Sequence, residues 1–103
     1  MYKISFFVPI DFAEIVKQAL FDEGAGTMGD YAECSWETLG TGQFKPLKGS
    51  DPFIGSPNTL ERVQELKVEM LCDEKLIKNA IKALKQVHPY EEPAYEVVKL
   101  ECF

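Results

Sequence analysis

The chain has 103 residues, a net charge of −6 and a hydrophobic fraction of 46%. This length suits a single domain, residues 1–103, with one modest core. The negative charge argues against binding to nucleic acid and to anionic membrane surfaces, because both kinds of binding depend on lysine and arginine. No apolar run is long enough to span a bilayer and no secretory signal is visible, so we expect a cytoplasmic protein.

The cysteines Cys34, Cys72 and Cys102 are odd in number and widely spaced. They form no C-x-x-C pair, so we expect three reduced and mostly buried thiols. A metal site made of all three thiolates has no support from their spacing.

The first quarter of the chain predicts a strand followed by a helix. The strand has the alternating apolar residues Tyr2, Ile4, Phe6 and Val8. The helix should span residues 11–23, with a capping box, a hydrophobic staple between Ile10 and Ile15, and an end at two glycines. Its capping-box residues are Asp11 and Glu14, its buried stripe is Phe12, Ile15, Val16, Ala19 and Leu20, and its glycines are Gly24 and Gly26.

The middle of the chain predicts strands and a long loop. Residues 31–39 should form a strand punctuated by Gly40 and Gly42, with a short return strand over 43–47. Turn-forming residues predict a loop over 48–59. Alternation at Leu66, Val68 and Met70 predicts another strand, and the change of parity between Val63 and Leu66 suggests a bulge or a late strand start.

The last third predicts a helix over 73–88 and a strand over 94–100. The helix has a periodic apolar face and stops at Pro89. That face consists of Leu76, Ile77, Ala80, Ile81, Leu84 and Val87. Two strand–helix–strand units in this order predict a ferredoxin-like α+β sandwich, in which both helices cover one face of an antiparallel sheet.

Several stretches resemble the YqfO-type domain, an insert within proteins of the NIF-three-like, or GTP cyclohydrolase I type 2-like, family. Those stretches are residues 24–31 (GAGTMGDY), 40–46 (GTGQFKP), 49–55 (GSDPFIG), 60–63 (LERV) and 88–95 (HPYEEPAY). The resemblance implies a fold similar to the PII and CutA proteins, which are usually compact trimers. We therefore expect a homo-oligomer, with a trimer favoured and a dimer as the alternative.

The same resemblance limits what can be carried over. Full-length relatives are thought to bind two metal ions through domains that flank this insert, and those domains are not among these residues. A single histidine cannot rebuild such a site, so GTP cyclohydrolase activity should not be transferred. The chain also departs from the family pattern at Asp30 and at residues 56–58, both in turns.

His88, Glu91 and Glu92 form the first candidate site. One imidazole and two carboxylates suit a divalent ion such as Zn or Cu. The competing interpretation is structural: a histidine at a helix end caps carbonyls and, as a cation, stabilises the helix dipole. We favour the structural role.

Gly40, Thr41, Gly42 and Gln43 form the second candidate site. Their backbone N–H groups could contact a phosphate or another ligand. The segment lacks the Lys-Ser/Thr of a P-loop, and we favour a tight hairpin that needs positive φ.

A surplus of aromatic and apolar residues predicts a subunit interface on the open face of the sheet. The alternative is that the 40–59 loop folds back over that face. The interface candidates are Phe44, Phe53, Ile54, Tyr90 and Tyr95.

The sequence contains no nucleophile motif and suggests no catalytic residue. The favoured function is a non-enzymatic oligomeric binding or regulatory module that binds a small ligand or a metal in a cleft between subunits, or docks on a larger protein partner. The alternative is a metal-binding protein or a metal-dependent enzyme of the NIF-three-like family that uses the turn at His88.

Overall fold

The computed structural model describes residues 1–103 as a four-stranded antiparallel sheet and two helices. The strands are β1 (Tyr2–Pro9), β2 (Trp36–Phe44), β3 (Glu61–Cys72) and β4 (Tyr95–Lys99), in the sheet order β2-β3-β1-β4. The helices are α1 (Ala13–Asp22), which follows a 3₁₀ turn at Ile10–Phe12, and α2 (Ile77–Val87). This order confirms the predicted ferredoxin-like sandwich.

The core lies between one face of the sheet and the two helices. Ile4 of β1 pairs with Met70 of β3, and Phe6 pairs with Val68. Directly opposite residues of antiparallel strands project from the same face, so these four side chains form one apolar surface. The helices cover it with Val16, Leu20, Ala80 and Leu84, all fully buried.

The opposite face of the sheet carries no helix. Ser5 and Phe7 of β1 and Glu65 and Lys67 of β3 lie on it, because their positions alternate with the core residues. Loop residues cover only the end of this open face near Phe7 and Glu65. The alternative interpretation, in which the 40–59 loop covers this face, therefore holds only in part, for residues that follow β2.

The start of α1 differs from the prediction. No side chain caps the 3₁₀ turn or the helix, so the Asp11–Glu14 capping box is not formed. Ile10 and Ile15 are 44% and 60% exposed, so they make no buried staple. The 3₁₀ turn changes the phase of the helix, and Ala13 instead of Ile15 joins Val16 and Leu20 in the core.

The end of α1 confirms the predicted glycine stop. Gly24 has a φ of 91°, a left-handed conformation that favours glycine. The N–H of Gly24 donates to the Phe21 carbonyl and the N–H of Ala25 donates to the Leu20 carbonyl. These bonds satisfy carbonyls that the helix leaves free.

Strand β2 begins later and ends later than predicted. It starts at Trp36 and runs through Gly40 and Gly42 to Phe44, and no return strand forms over 43–47. β3 starts at Glu61 and pairs with β2 residue by residue up to Glu69, so neither the suggested bulge near Val63 nor the late strand start is present. The 45–60 segment then connects β2 to β3.

The second helix begins later than predicted: α2 starts at Ile77 instead of residue 73, after a turn at residues 74–76, and it ends at Val87. The predicted apolar face of α2 packs on the core, and β4 lies within the predicted 94–100 range. Neither helix is both long and apolar enough to cross a membrane. Only Cys72 is buried: Cys34 is partly exposed and Cys102 is exposed, so the expectation of mostly buried thiols is wrong.

Candidate ligand cavity

A cavity of about 530 Å³ lies at the end of the open sheet face that the loop residues cover. Its floor contains Phe7, Gly42 and Glu65 of three adjacent strands. Its walls come from the end of β2 with the loop that follows it, residues 43–54, and from the turn at 90–94. A cavity of this size lies within the usual range for small-molecule sites.

The wall segments are held together by polar and aromatic contacts. The backbone N–H of Asp51 donates to Oε1 of Glu91 at 3.1 Å, which ties the loop to the turn. The rings of Phe44 and Tyr90 lie 5.9 Å apart. Phe53 packs edge-on against Phe12 at 5.4 Å, which anchors the loop at the helix layer.

Glu65 is a buried carboxylate on the floor of the cavity, with only 8% of its surface exposed. It fits because β2 has a glycine beside it. A Cβ atom at Gly42 would lie 2.6 Å from the carboxyl carbon of Glu65. Glycine inside a strand often marks such a close approach.

Tyr90 is the hydrogen-bond partner of Glu65. Its hydroxyl donates to Oε2 of Glu65 at 2.8 Å. Burial, together with this bond to a carboxylate, raises the pKa of Tyr90 well above its ordinary value. The phenol therefore stays protonated at neutral pH and remains a donor.

His88 uses both ring nitrogens in bonds to the backbone. Its Nδ1 accepts from the N–H of Tyr90 at 3.1 Å. Nδ1 therefore carries no proton, and Nε2–H donates to the carbonyl of Phe7 at 2.7 Å. Burial is the main cause that lowers the pKa of His88, so the ring is neutral at neutral pH.

This geometry corrects the predicted role of His88. The histidine does not cap the carbonyls of its own helix, and it is not a cation near the helix dipole. Its ring donates instead to the carbonyl of Phe7 in β1. The N–H of Phe7 bonds to the carbonyl of Ala94, the residue that precedes β4. His88 thus fixes the turn against the sheet and holds Tyr90 in place.

The structure does not bring His88, Glu91 and Glu92 together as a metal site. No three His, Cys, Asp or Glu side chains are placed to hold a metal ion. The His88 ring is buried and both its nitrogens are occupied, whereas Glu91 and Glu92 are exposed. These residues do not fit Zn or Cu, and metal binding at this turn stays a prediction without geometric support.

Gly40, Thr41, Gly42 and Gln43 lie within β2, so the predicted hairpin is wrong. Neither glycine has positive φ. Gly42 and Gln43 do line the cavity, but beside a buried carboxylate that would repel a phosphate. Phosphate binding at this segment stays a prediction.

The five interface candidates separate into two groups. Phe44, Phe53, Ile54 and Tyr90 line the cavity. Tyr95 instead packs against the core from the helix side, where Nζ of Lys85 lies 5.4 Å from its ring centroid. A place for Tyr95 on the open face is therefore wrong, and the interface role of the other four stays a prediction.

The sequence analysis missed Glu65. Its position on β3 alternates with Leu66 and Val68, which places it on the open face. A carboxylate there is usually solvated. The sequence feature that could have pointed to Glu65 is the pair of glycines at positions 40 and 42. A glycine within a strand leaves space for a side chain of the neighbouring strand.

No family model matches this chain. Curated relatives match it in sequence over a limited part of their length. The GTP cyclohydrolase 1 type 2 homolog of Mycobacterium tuberculosis is 44% identical over 94 residues, which are 91% of this chain and 25% of that protein. The protein with the same name from Halalkalibacterium halodurans is 43% identical over 100 residues, 97% of this chain and 27% of that protein. The chain thus spans about a quarter of the length of these relatives.

Solved structures agree with the architecture. A Bacillus cereus protein related to NIF3 contains a region that matches with a TM-score of 0.84 and 40% identity, over 98% of this chain and 26% of that chain. CutA from Pyrococcus horikoshii matches with a TM-score of 0.70 and 18% identity, over 100% of this chain and 87% of that chain. The chain has a CutA-like α+β fold. At 18% identity, the match to CutA speaks for the fold alone.

Proposed function

We propose that residues 1–103 form a single non-catalytic binding module that takes a small ligand in the cavity above Glu65 and works as a homo-oligomer. The observation that carries this proposal is the cavity of about 530 Å³ with a buried carboxylate on its floor. A mostly apolar pocket with a few placed polar groups is the usual form of a small-molecule site.

The proposed role corresponds to the YqfO-type insert of the NIF-three-like family. About 40% identity to a region of the NIF3-related protein supports this correspondence. The activity suggested by the name GTP cyclohydrolase 1 type 2 homolog is not proposed for this chain, because the match covers only about a quarter of those proteins.

The proposed assembly rests on exposed apolar residues along the sheet. Strand β2 is an edge strand with one side unpaired. Trp36 and Leu39, on opposite faces of it, are 69% and 59% exposed. An unpaired edge with large apolar side chains favours contact with another chain. We favour three subunits, with two as the alternative, because the sequence resembles a domain type whose PII and CutA relatives are usually trimers.

Native mass spectrometry of protein purified without a His tag tests both parts of the proposal. The expected result is a homo-oligomer that retains a small organic molecule. A bare monomer at micromolar concentration would contradict the assembly. Ligand binding would then be judged separately, from titration of small molecules into the cavity.

A further inference from the structure

The carboxylate of Glu65 lacks a cation. Its Oε2 accepts the hydrogen bond from Tyr90. Its Oε1 accepts none, and because no side-chain atom that is sealed from solvent lacks a partner, this oxygen keeps some exposed surface. None of the ion pairs in the structure includes Glu65. A buried carboxylate is normally paired with a cation or with several donors. Because Oε1 keeps exposed surface and its side chain lines the cavity, a ligand in the cavity can reach it.

The walls around this oxygen suit an apolar ligand body. Phe7, Phe44, Phe53 and Ile54 all line the cavity. Aromatic rings close to a carboxylate also favour organic cations, because the ring faces attract positive charge. An aliphatic or aromatic body would pack on these side chains, and its charged end would lie near the floor.

The charges of the lining favour a cation over an anion. Glu65, Glu91 and Glu92 line the cavity, whereas Lys45 is its only basic residue. Lys45 is exposed and forms no ion pair. An anionic ligand would place its charge beside three carboxylates, at a cost that grows with burial.

We propose that the cavity binds a primary ammonium ion on an apolar body, with the ammonium group donating to Oε1 of Glu65. This inference rests on the proposed function and specifies the class of ligand. A primary ammonium supplies both the charge and the N–H donor that the free oxygen lacks. A quaternary ammonium supplies only the charge.

The test uses three probes that share one ring and chain length but differ in charge: 2-phenylethylamine, 2-phenylethanol and phenylacetate. Each is titrated at pH 7 into ¹⁵N-labelled protein, and amide shifts near Gly42 are followed. We expect the amine to bind at least roughly tenfold more tightly than the alcohol, the usual scale for one charge-assisted hydrogen bond. We expect phenylacetate to bind most weakly.

The outcomes separate this inference from the proposed function. Equal binding of all three probes, or tighter binding of phenylacetate, would overturn the ammonium inference and leave a ligand cavity. No binding by any probe would overturn both. The comparison uses the wild-type chain alone, so it does not depend on a variant that folds.

Variants locate the ammonium group. Glu65→Gln should remove the preference for the amine over the alcohol. Glu96→Gln is the matched control, because Glu96 is exposed on the same sheet face, does not line the cavity, and its loss changes the net charge equally. If Glu65→Gln fails to fold, Glu65→Asp takes its place as the test variant. It keeps the charge but shortens the side chain, so it should bind the amine with a reduced preference over the alcohol. An amine preference that survives Glu65→Gln would overturn the inference.

Discussion

The side chain of Glu65 occupies the space that a Cβ atom at Gly42 would need, although the two residues lie 23 positions apart on neighbouring strands. The absence of a side chain at Gly42 therefore determines where the carboxylate can lie. Gly40, on the same face of β2, has no atom within 4 Å of its Cβ position. The two glycines thus offer a matched comparison.

Gly42→Ala should push the Glu65 carboxylate from its position. We expect the free energy of unfolding to fall by roughly 1–3 kcal/mol, the usual cost of overpacking. Gly40→Ala should change it by no more than about 0.5 kcal/mol, because the added methyl group meets open space. Urea denaturation of both variants measures the difference. Equal effects at the two glycines would contradict the proposed close approach.

The loss of the Tyr90 hydroxyl should weaken the protein because it leaves Oε2 of Glu65 without a donor. We expect Tyr90→Phe to lower the free energy of unfolding by roughly 1–3 kcal/mol, the cost of leaving a buried polar group unsatisfied. Tyr31→Phe is the control, since Tyr31 is 76% exposed and its hydroxyl makes no hydrogen bond. A smaller loss for Tyr90→Phe than for Tyr31→Phe would count against the bond to Glu65.

Stability should depend on pH through His88. Its pKa in the folded protein is lower than the ordinary value of about 6.5, so the unfolded chain binds more protons below that pH. The free energy of unfolding should therefore be unaffected by this group above about pH 6.5 and should fall as the pH falls below it. The slope should be at most about 1.4 kcal/mol per pH unit.

Denaturant titrations between pH 7.5 and pH 5 measure this slope. His88 is the only histidine, so no other imidazole contributes in that interval. His88→Gln should lower stability at pH 7.5, because two bonds to the backbone are altered, and should flatten the dependence on pH. A wild-type protein that becomes more stable as the pH falls from 6.5 to 5 would show that His88 is stabilised as a cation, contrary to its burial.

The sequence predicted the elements whose signal is local. The alternation of Ile4, Phe6 and Val8 and the apolar face of α2 both reflect burial against one layer, and the structure confirms them. Their periodicity is enough because each side chain faces the same core. Elements that depend on contacts between distant residues were not predicted. Gly40 and Gly42 were interpreted as a hairpin, although they lie within β2, because the side chain that needs the space at Gly42 belongs to Glu65 on another strand.

The site shows the same limit more strongly. The acceptor of the His88 Nε2–H bond, the carbonyl of Phe7, lies 81 residues away. Nearby Glu91 and Glu92 suggested a metal set, but adjacent positions in a turn project in different directions. Composition and spacing therefore identified the turn that matters and could not identify its partners.

Trp36 reports directly on the proposed assembly. It is the only tryptophan of the chain and lies on edge strand β2 with 69% of its surface exposed in one subunit. If β2 contacts a neighbouring subunit, the ring should be shielded in the oligomer. We expect its fluorescence emission to shift to longer wavelength, and quenching by acrylamide to increase, as the protein is diluted.

Trp36→Glu should shift the assembly toward monomers in sedimentation velocity, because the interface would bury an unpaired charge. Tyr31→Glu is the matched control: it adds the same charge at an exposed aromatic residue outside the strands. The control should sediment like the wild type. A wild type that is monomeric with an exposed Trp36 at all concentrations would refute the assembly. An oligomer unaffected by Trp36→Glu would instead place the contact away from this edge of the sheet.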